Sequence, residues 1–383
     1  MEHRNYYYDI SRRFLLMIVD VYIFFQIAQI FVCEDTQCIF QTLPPHMLVW
    51  NCLVKVLAYR FNSQKIKDLT DHLFVDWDTL ETQEEREILK KYAENGRWYS
   101  LIYACKHTLL TKFVLVAAYC YMSTISFITT SLIPQIMDIV FPLNTSRPIM
   151  LAYPAHYFVN EEQYFYYIFF HMLITALVCM TGLIAHDCMF FIYIEHVCGL
   201  FAVVGFRFQH VLNRRDIADA NLINCPNDLY HKDVAFSVHA HREALQFAKL
   251  LENVFSVPFA IQLMISTLSI SVSLLQFSMQ LNDLMEATRY FVYILAQLFH
   301  LFCFSFQGQK LIDHSLEICN KIYNGAWYKI PVKGQKLLLI TMRKSIEAST
   351  LTACKIYVFS LQNFTMVLQT AMSYFTVLAS FSE

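Results

Sequence analysis

The side chains that could do chemistry in this chain are few and poorly grouped. His239-Ala240-His241 sets two imidazoles two residues apart. Alternate residues do not share a helix face and no third ligand adjoins them, so a solvated helix outweighs a metal pair. Glu84, Glu85 and Glu87 form a carboxylate run that reads as a wet helix face. There is no glycine-rich phosphate loop, no GxSxG and no HExxH. The 12 cysteines show no CxxC or zinc-type spacing, and most sit in apolar runs as small hydrophobes. Cys33 and Cys38 share a short loop, either bridged or as two free thiols. His46, His171 and His300 lie at or within apolar stretches, as functional groups or as neutral imidazoles bonded inside a helix bundle. No enzyme, metal centre, cofactor or nucleic-acid partner is indicated.

The more informative residues are polar without being reactive. The closing run SLQNFTMVLQTAMSYFTVLASF, Ser360 to Phe381, is long enough to cross a bilayer. At 100° per residue, Gln362, Thr365, Gln369, Ser373, Thr376 and Ser380 fall within an arc of about 80°. Phe364, Val367, Leu368, Ala371, Phe375 and Leu378 occupy the opposite face. Such a stripe either hydrogen-bonds a neighbouring helix or lines water. One helix cannot enclose water, so the second fate requires several copies around an axis.

The elements that must position this stripe follow from hydropathy. The 383 residues are 56% apolar and 16% charged, with 7 glycines, which fits a polytopic membrane protein and not a soluble enzyme. Seven apolar stretches lie at about 14–32, 43–59, 109–133, 164–184, 254–280, 290–306 and 356–379. The first is too long for a signal-peptide core and lacks a small-residue cleavage site, so it is expected to be retained. Residues 1–13 hold 3 Lys or Arg, 60–106 hold 8, 206–253 hold 6 and 307–354 hold 7, whereas the alternate loops hold only Arg147 and Arg289. The positive-inside rule therefore puts the N-terminus and the basic loops in the cytoplasm and the C-terminus outside. Asn144, in the sequon Asn144-Thr145-Ser146, then falls outside, as glycosylation requires. A G-protein-coupled receptor has the opposite orientation, and no Asp-Arg-Tyr or Asn-Pro-x-x-Tyr occurs where one would expect it.

The fourth stretch is too long for a membrane. Nothing from Glu161 to Phe208 breaks a helix strongly, and a continuous one would run about 70 Å. It projects into the cytoplasm or breaks near Gly182. Its second half carries His186, Asp187, Glu195 and His196 among aromatics, which suits burial against protein. A cytoplasmic helical layer is expected from this half together with the basic loops.

The C-terminal residues resemble insect odorant receptors. The matching pieces are Gly308-Gln309, Ser315, Tyr323 before Trp327-Tyr328, Met342-Arg343, and Ser373 through Leu378. Weaker echoes are Asp76-Trp77, Tyr92 to Arg97, Cys198-Gly199 and His241-Arg242. The resemblance implies an all-α membrane subunit of an odorant-gated, non-selective cation channel. It would have seven transmembrane helices, a cytoplasmic N-terminus and an extracellular C-terminus. Its partners would be a small volatile odorant, membrane lipid and an olfactory co-receptor in a heterotetramer, in the plasma membrane of a sensory neuron dendrite. The implied organisation is helices one to four over 1–185, a cytoplasmic anchor over 186–253, helices five and six over 254–306, a second anchor segment over 307–354, and a pore-lining helix over 355–383.

Within that frame the resemblance sets the gate at Val377, with Gln369, Ser373, Thr376 and Ser380 along the same pore wall. Related taste receptors and the co-receptor carry Gln near Ser380, so their selectivity does not transfer. The odorant pocket would lie in the outer half of the bundle. It would be lined by Met47, Trp50, Tyr121, Phe127, Thr130, Phe169, Met172, Leu173, Tyr290, Tyr293, Ile294 and Gln297. Aromatics and methionines with a few hydroxyls suit an apolar volatile. The alternatives are a gustatory-type channel, from which the TVL ending and missing Gln differ, and a metabotropic receptor, which needs the opposite topology.

Overall fold

The computed structural model describes residues 20–21, 23–102, 121–122, 124–141, 147, 149, 151–213 and 227–382. Among the described residues there are ten longer helices, a short 3-10 helix at Trp327–Lys329 and one small hairpin. They are α1 (Ile23–Val32), α2 (Thr36–Phe61), α3 (Ser63–Asp78), α4 (Gln83–Ile102) and α5 (Thr124–Val140), which contains a 3-10 turn at Thr130–Leu132. The long helices follow: α6 (Glu161–Asn213), α7 (Asn227–Met279) and α8 (Leu284–Tyr323). Then come α9 (Val332–Ser345), strands β1 (Thr352–Ala353) and β2 (Tyr357–Val358), and α10 (Leu361–Ser382). Among the described residues α6, α7, α8 and α10 are long and apolar enough to cross a membrane, and α1 and α5 are shorter apolar helices. Parts of the expected 14–32 and 109–133 stretches, and Asn144, lie outside the described residues.

Polar side chains start several of these helices by accepting otherwise unpaired N–H groups. The Asn160 side chain accepts from Glu162 N at 3.0 Å at the head of α6. Asp283 accepts from Met285 N at 3.0 Å at the head of α8. Thr82 Oγ1 accepts from Glu85 N at 3.2 Å, while Glu85 Oε2 accepts from Glu81 N at 2.9 Å, a capping box opening α4. At the outer end Cys33 and Cys38 are joined by a disulfide between α1 and α2, which closes the question the spacing left open.

α6 spans 53 residues with a kink at Tyr164 (φ -107°, ψ 15°) near its start; beyond the kink it runs on for about 70 Å at 1.5 Å per residue and does not break at Gly182. α6 meets α2 at Gly182, where an added Cβ would make ordinary contact, 3.4 Å from Cys52 Sγ. Its inner half carries Phe190, Phe191, Tyr193, Val197, Phe201 and Phe208 into the largest core, completed by α7, α8, α9 and the hairpin. This is the helical layer that the basic loops and the overlong fourth stretch pointed to. Each fully buried aromatic in it contributes about 1.5–3 kcal/mol. A second core sits at the outer end, where α2, α5, α6, Ile149 and residues 151–157 pack together.

The last stretch departs from expectation at its start. The closing helix begins at Leu361 and not near 355, because residues 352–358 form an antiparallel hairpin with Thr352 opposite Val358. Cys354 and Lys355 turn it with φ of 50° and 60°. The hairpin is fastened to α7 by Thr352 Oγ1, which donates to Glu252 Oε1 at 2.5 Å, and by Cys354 N, which donates to Ser256 Oγ at 2.9 Å. On the α8 side Gly308 has no room for a Cβ, which would collide with the Phe359 backbone. Ser315 Oγ accepts from Ser349 N at 3.0 Å. Gly308 and Ser315 of the C-terminal signature are thus the contacts that seat the connection into α10.

Candidate functional site

α10 is packed on one side only. Val367 and Ala371 are buried, and Ser271 on α7 donates to the Ala371 carbonyl at 2.9 Å. Phe364, Leu368, Phe375 and Leu378 are half-buried. Gln362, Thr365, Gln369, Ser373, Thr376 and Ser380 are all exposed, so the polar stripe faces away from the chain's own bundle. Its hydroxyls are bonded to their own helix. Thr365 donates to Gln362 O at 2.8 Å, Ser373 to Gln369 O at 3.0 Å, Thr376 to Ser373 O at 2.8 Å and Ser380 to Val377 O at 2.8 Å. Of the two fates open to the stripe, hydrogen bonding to a neighbouring helix of the same chain is not the one adopted by these four hydroxyls. Val377 borders the stripe and is 52% exposed.

The twelve expected pocket residues fall into two groups and some outliers. Phe169 and Met172 are buried in the outer core, and Leu173 packs against it beside Val49 of α2 and Ile128 of α5. Tyr293, Ile294 and Gln297 form the second group on α8. The Tyr293 hydroxyl donates to the Pro44 carbonyl at 3.1 Å, accepts from Gln297 Nε2 at 2.9 Å and lies 3.0 Å from Ser269 Oγ. It therefore ties α2, α7 and α8 together. Phe127 carries the Arg289 guanidinium 4.8 Å from its ring centre, and Arg289 also donates to the Ala152 carbonyl at 2.5 Å. Tyr121 OH is 2.7 Å from Thr181 Oγ1. Thr130 donates to the Phe127 carbonyl at 2.6 Å. Met47 and Tyr290 are half-buried, whereas Trp50 is exposed and donates its Nε1 proton to His46 Nε2 at 2.7 Å.

The membrane histidines are all hydrogen-bonded. His46 Nδ1 is 3.0 Å from Gln26 Oε1 and His171 Nδ1 is 2.9 Å from Tyr157 OH. Trp50 occupies Nε2 of His46, so the Gln26 contact uses the Nδ1 proton of a neutral ring. His300 joins a buried ion cluster that reading the chain residue by residue missed. Lys55 Nζ lies 2.5 Å from Asp187 Oδ1, and His300 Nε2 lies 2.9 Å from Asp187 Oδ2. The Lys55 and Asp187 side chains are 2% and 3% exposed. A lone cation, Lys55, in the second apolar stretch and an anion, Asp187, just past the fourth were the available signal, since opposite charges at such depth pair with one another.

Two sequence readings of the inner layer are corrected. Glu85 is not part of a wet face: it is buried, with Arg207 Nε at 2.7 Å and Nη2 at 2.9 Å, while Glu84 and Glu87 stay exposed. Burial pushes the Glu85 carboxyl up, but the Arg207 guanidinium and the Glu81 N–H outweigh it and hold it below its ordinary value of 4.5. His241 is not solvated either; it is buried with Nε2 3.4 Å from Ser345 Oγ, while His239 is exposed. Further ties close the layer. His196 Nε2 meets Asp76 Oδ2 at 2.7 Å, Lys310 Nζ meets Glu195 Oε1 at 2.5 Å and Tyr92 OH meets His314 Nε2 at 2.8 Å.

Known proteins share this arrangement. The fold is similar to the insect olfactory receptor OR5 from Machilis hrabei solved in complex with eugenol, with a TM-score of 0.76 over 99% of this chain and 91% of that one at 11% identity. A second structure of that receptor gives a TM-score of 0.70. Odorant receptor 22c of Drosophila melanogaster is 26% identical over 188 residues, 49% of this chain and 46% of the relative. The odorant receptor coreceptor of Aedes aegypti is 24% identical over 186 residues, 45% of this chain and 38% of the relative. The chain spans about half the length or less of these curated relatives. The likeness in fold carries the architecture: an all-α, 7TM-like membrane fold, with four helices among the described residues long and apolar enough to cross a membrane. The family model described as 7tm Odorant receptor matches residues 35–372, which is most of the length, and the chain therefore belongs to the odorant receptor family.

Proposed function

We propose that this chain is a ligand-specific subunit of an odorant-gated, non-selective cation channel. It would assemble with an olfactory co-receptor as a heterotetramer in the plasma membrane of a sensory neuron dendrite. The observation that carries this reading is the exposed polar face of α10, with four hydroxyls satisfied by their own helix and its apolar back on α7 and α8. A face of this kind suits a water-filled axis shared between subunits. The likeness to a receptor solved with eugenol supports a small organic ligand. The likeness to coreceptors of Aedes aegypti and Aedes albopictus supports a common mode of assembly.

In this mechanism an apolar volatile binds in the outer half, among Phe169, Met172, Leu173, Met47 and Trp50 and the Tyr290, Tyr293, Ile294 and Gln297 face of α8. Tyr121, Phe127 and Thr130 complete the wall. Binding favours the state in which α10 has shifted outward, a population shift driven by differential affinity. A ring of Val377 side chains closes the resting pore by dewetting and widens as α10 moves. Gln369, Ser373, Thr376 and Ser380 line the conduction path, and Asn144 carries an external glycan. The reading assigns the chain no enzymatic step.

The test is expression with and without the co-receptor, recording currents against a panel of volatiles. The reading expects odorant-evoked cation current with the co-receptor present. Confirmed surface expression with no current to any volatile would count against it.

A further inference from the structure

The corner where α2 gives way to α3 carries Arg60, Lys65 and Lys67, all exposed, and Phe61, which is 79% exposed. Among the described residues none of these three cations pairs with a carboxylate, whereas the exposed Lys90 and Lys344 meet Glu94 and Glu347 at 4.0 Å and 2.5 Å. Charge also runs against the macrodipole along α3. A helix favours acids in its first turn, as α4 has with Glu84 and Glu85. α3 has no acid in its first turn, and Asp68, Asp71, Asp76 and Asp78 all follow the two lysines. The nearest of them, Asp68, is already engaged by Gln64 Nε2 at 3.1 Å.

The depth of this corner follows from its neighbours. Lys55, five residues before Arg60, pairs with Asp187, just past the fourth apolar stretch. α3 then runs beside the inner half of α6: Thr70 Oγ1 lies 2.8 Å from Tyr193 OH, and Asp76 Oδ2 lies 2.7 Å from His196 Nε2. Residues 60–67 therefore sit where the apolar parts of α2 and α6 have both just ended, at the headgroup boundary. The pull of an anionic leaflet on a cation fades within a Debye length. That matches lysines at the membrane end of α3 and acids up to about 20 Å further in. Phe61 beside Arg60 supplies the apolar contact of an interfacial segment. We propose that the α2–α3 corner docks on anionic phospholipid headgroups, with Arg60, Lys65 and Lys67 facing their phosphate and carboxylate groups and Phe61 at the acyl boundary. The proposal rests on the basic loops facing the cytoplasmic leaflet, where anionic lipids gather.

The test is photolabelling of the full-length receptor in nanodiscs of phosphatidylcholine and phosphatidylserine, read by mass spectrometry of the adducts. The probe is either lipid with a diazirine at the headgroup end of one acyl chain. Each cation near an anionic surface is worth about a five-fold gain in contact. The phosphatidylserine probe should therefore label residues 59–67 at least about ten-fold more than the phosphatidylcholine probe. Arg60→Gln, Lys65→Gln and Lys67→Gln together should bring the two probes level, while Lys65→Arg with Lys67→Arg should keep the preference. Equal labelling by both probes in the wild type, a preference that survives the triple Gln variant, or adducts confined to other segments would overturn the proposal. Loss of labelling on adding soluble glycerophosphoserine would do so too, by assigning the cations to a free phosphate ester. Both leaflets of the nanodisc carry phosphatidylserine and contact is read without current, so failure here is distinct from failure of the orientation or of the channel reading.

Discussion

Replacing Asp187 by alanine removes the anion that faces Lys55 in the middle of the bundle. Lys55 is then an ammonium on a side chain 2% exposed, with His300 Nε2 at 3.4 Å and the Phe304 ring centre at 5.5 Å but no anion beside it. Breaking a buried pair from one side costs about 3–5 kcal/mol, because the surviving charge stays desolvated and uncompensated. That lowers the folded-to-unfolded ratio by roughly two to three and a half orders of magnitude. At the low end of about 2–4 °C per kcal/mol for large chains, the midpoint falls by about 6–10 °C. Removing both charges with Lys55→Met and Asp187→Leu should return most of this loss, since a buried pair replaced by well-packed apolar groups is often close to neutral. The assay is the thermal midpoint of monodisperse receptor in detergent for the wild type, both single variants and the double variant. A loss below about 0.5 kcal/mol for Asp187→Ala, or a double variant no better than the single ones, would refute the reasoning.

Three further outcomes are expected. Val377→Ala should raise basal leak when the chain is recorded with the co-receptor, because a smaller apolar ring dewets less readily; unchanged leak and response would remove Val377 from the gate. Tyr293→Phe deletes the hydroxyl that meets Pro44, Ser269 and Gln297. It should shift odorant potency about three- to ten-fold at constant single-channel conductance, and the reverse pattern would move the site elsewhere. Glu85 is held below its ordinary value of 4.5 in the fold, so its pairing with Arg207 stabilises the inner layer above that pH and is lost as pH falls through the lower folded value. Glu85→Gln should flatten the acid limb of the stability profile, and an acid limb identical to wild type would remove the pair from that role.

Much of the fold was readable before any coordinates, for physical reasons that also mark where reading stopped. Apolar run lengths report directly on the bilayer, so the long apolar helices α6, α7, α8 and α10 were legible in the chain alone. The polar stripe of α10 was readable because helical periodicity maps sequence onto faces. The hairpin at 352–358 was not, since each strand has two residues and its turn uses Cys354 and Lys355 with no glycine to announce it. Glu85 and His241 were misread as solvated because their partners, Arg207 and Ser345, lie more than 100 residues away in sequence. For Glu85 a local clue existed in the capping box Thr82-Gln83-Glu84-Glu85. Which aromatics of the outer half share one space depends on packing between helices, on which periodicity is silent.

The most direct measurement is the reaction of engineered thiols on α10 with a charged methanethiosulfonate applied from outside during recording with the co-receptor. The response of the unmutated chain is subtracted. Ser380→Cys, outward of Val377, should react at rest. Ser373→Cys, one turn inward, should react at least about ten-fold faster with odorant present, because the gate shields it when closed. Leu368→Cys, on the face packed against the bundle, should stay unmodified in both states. A Ser373→Cys that never reacts while Leu368→Cys does would contradict the placement of the polar face on a shared water-filled axis.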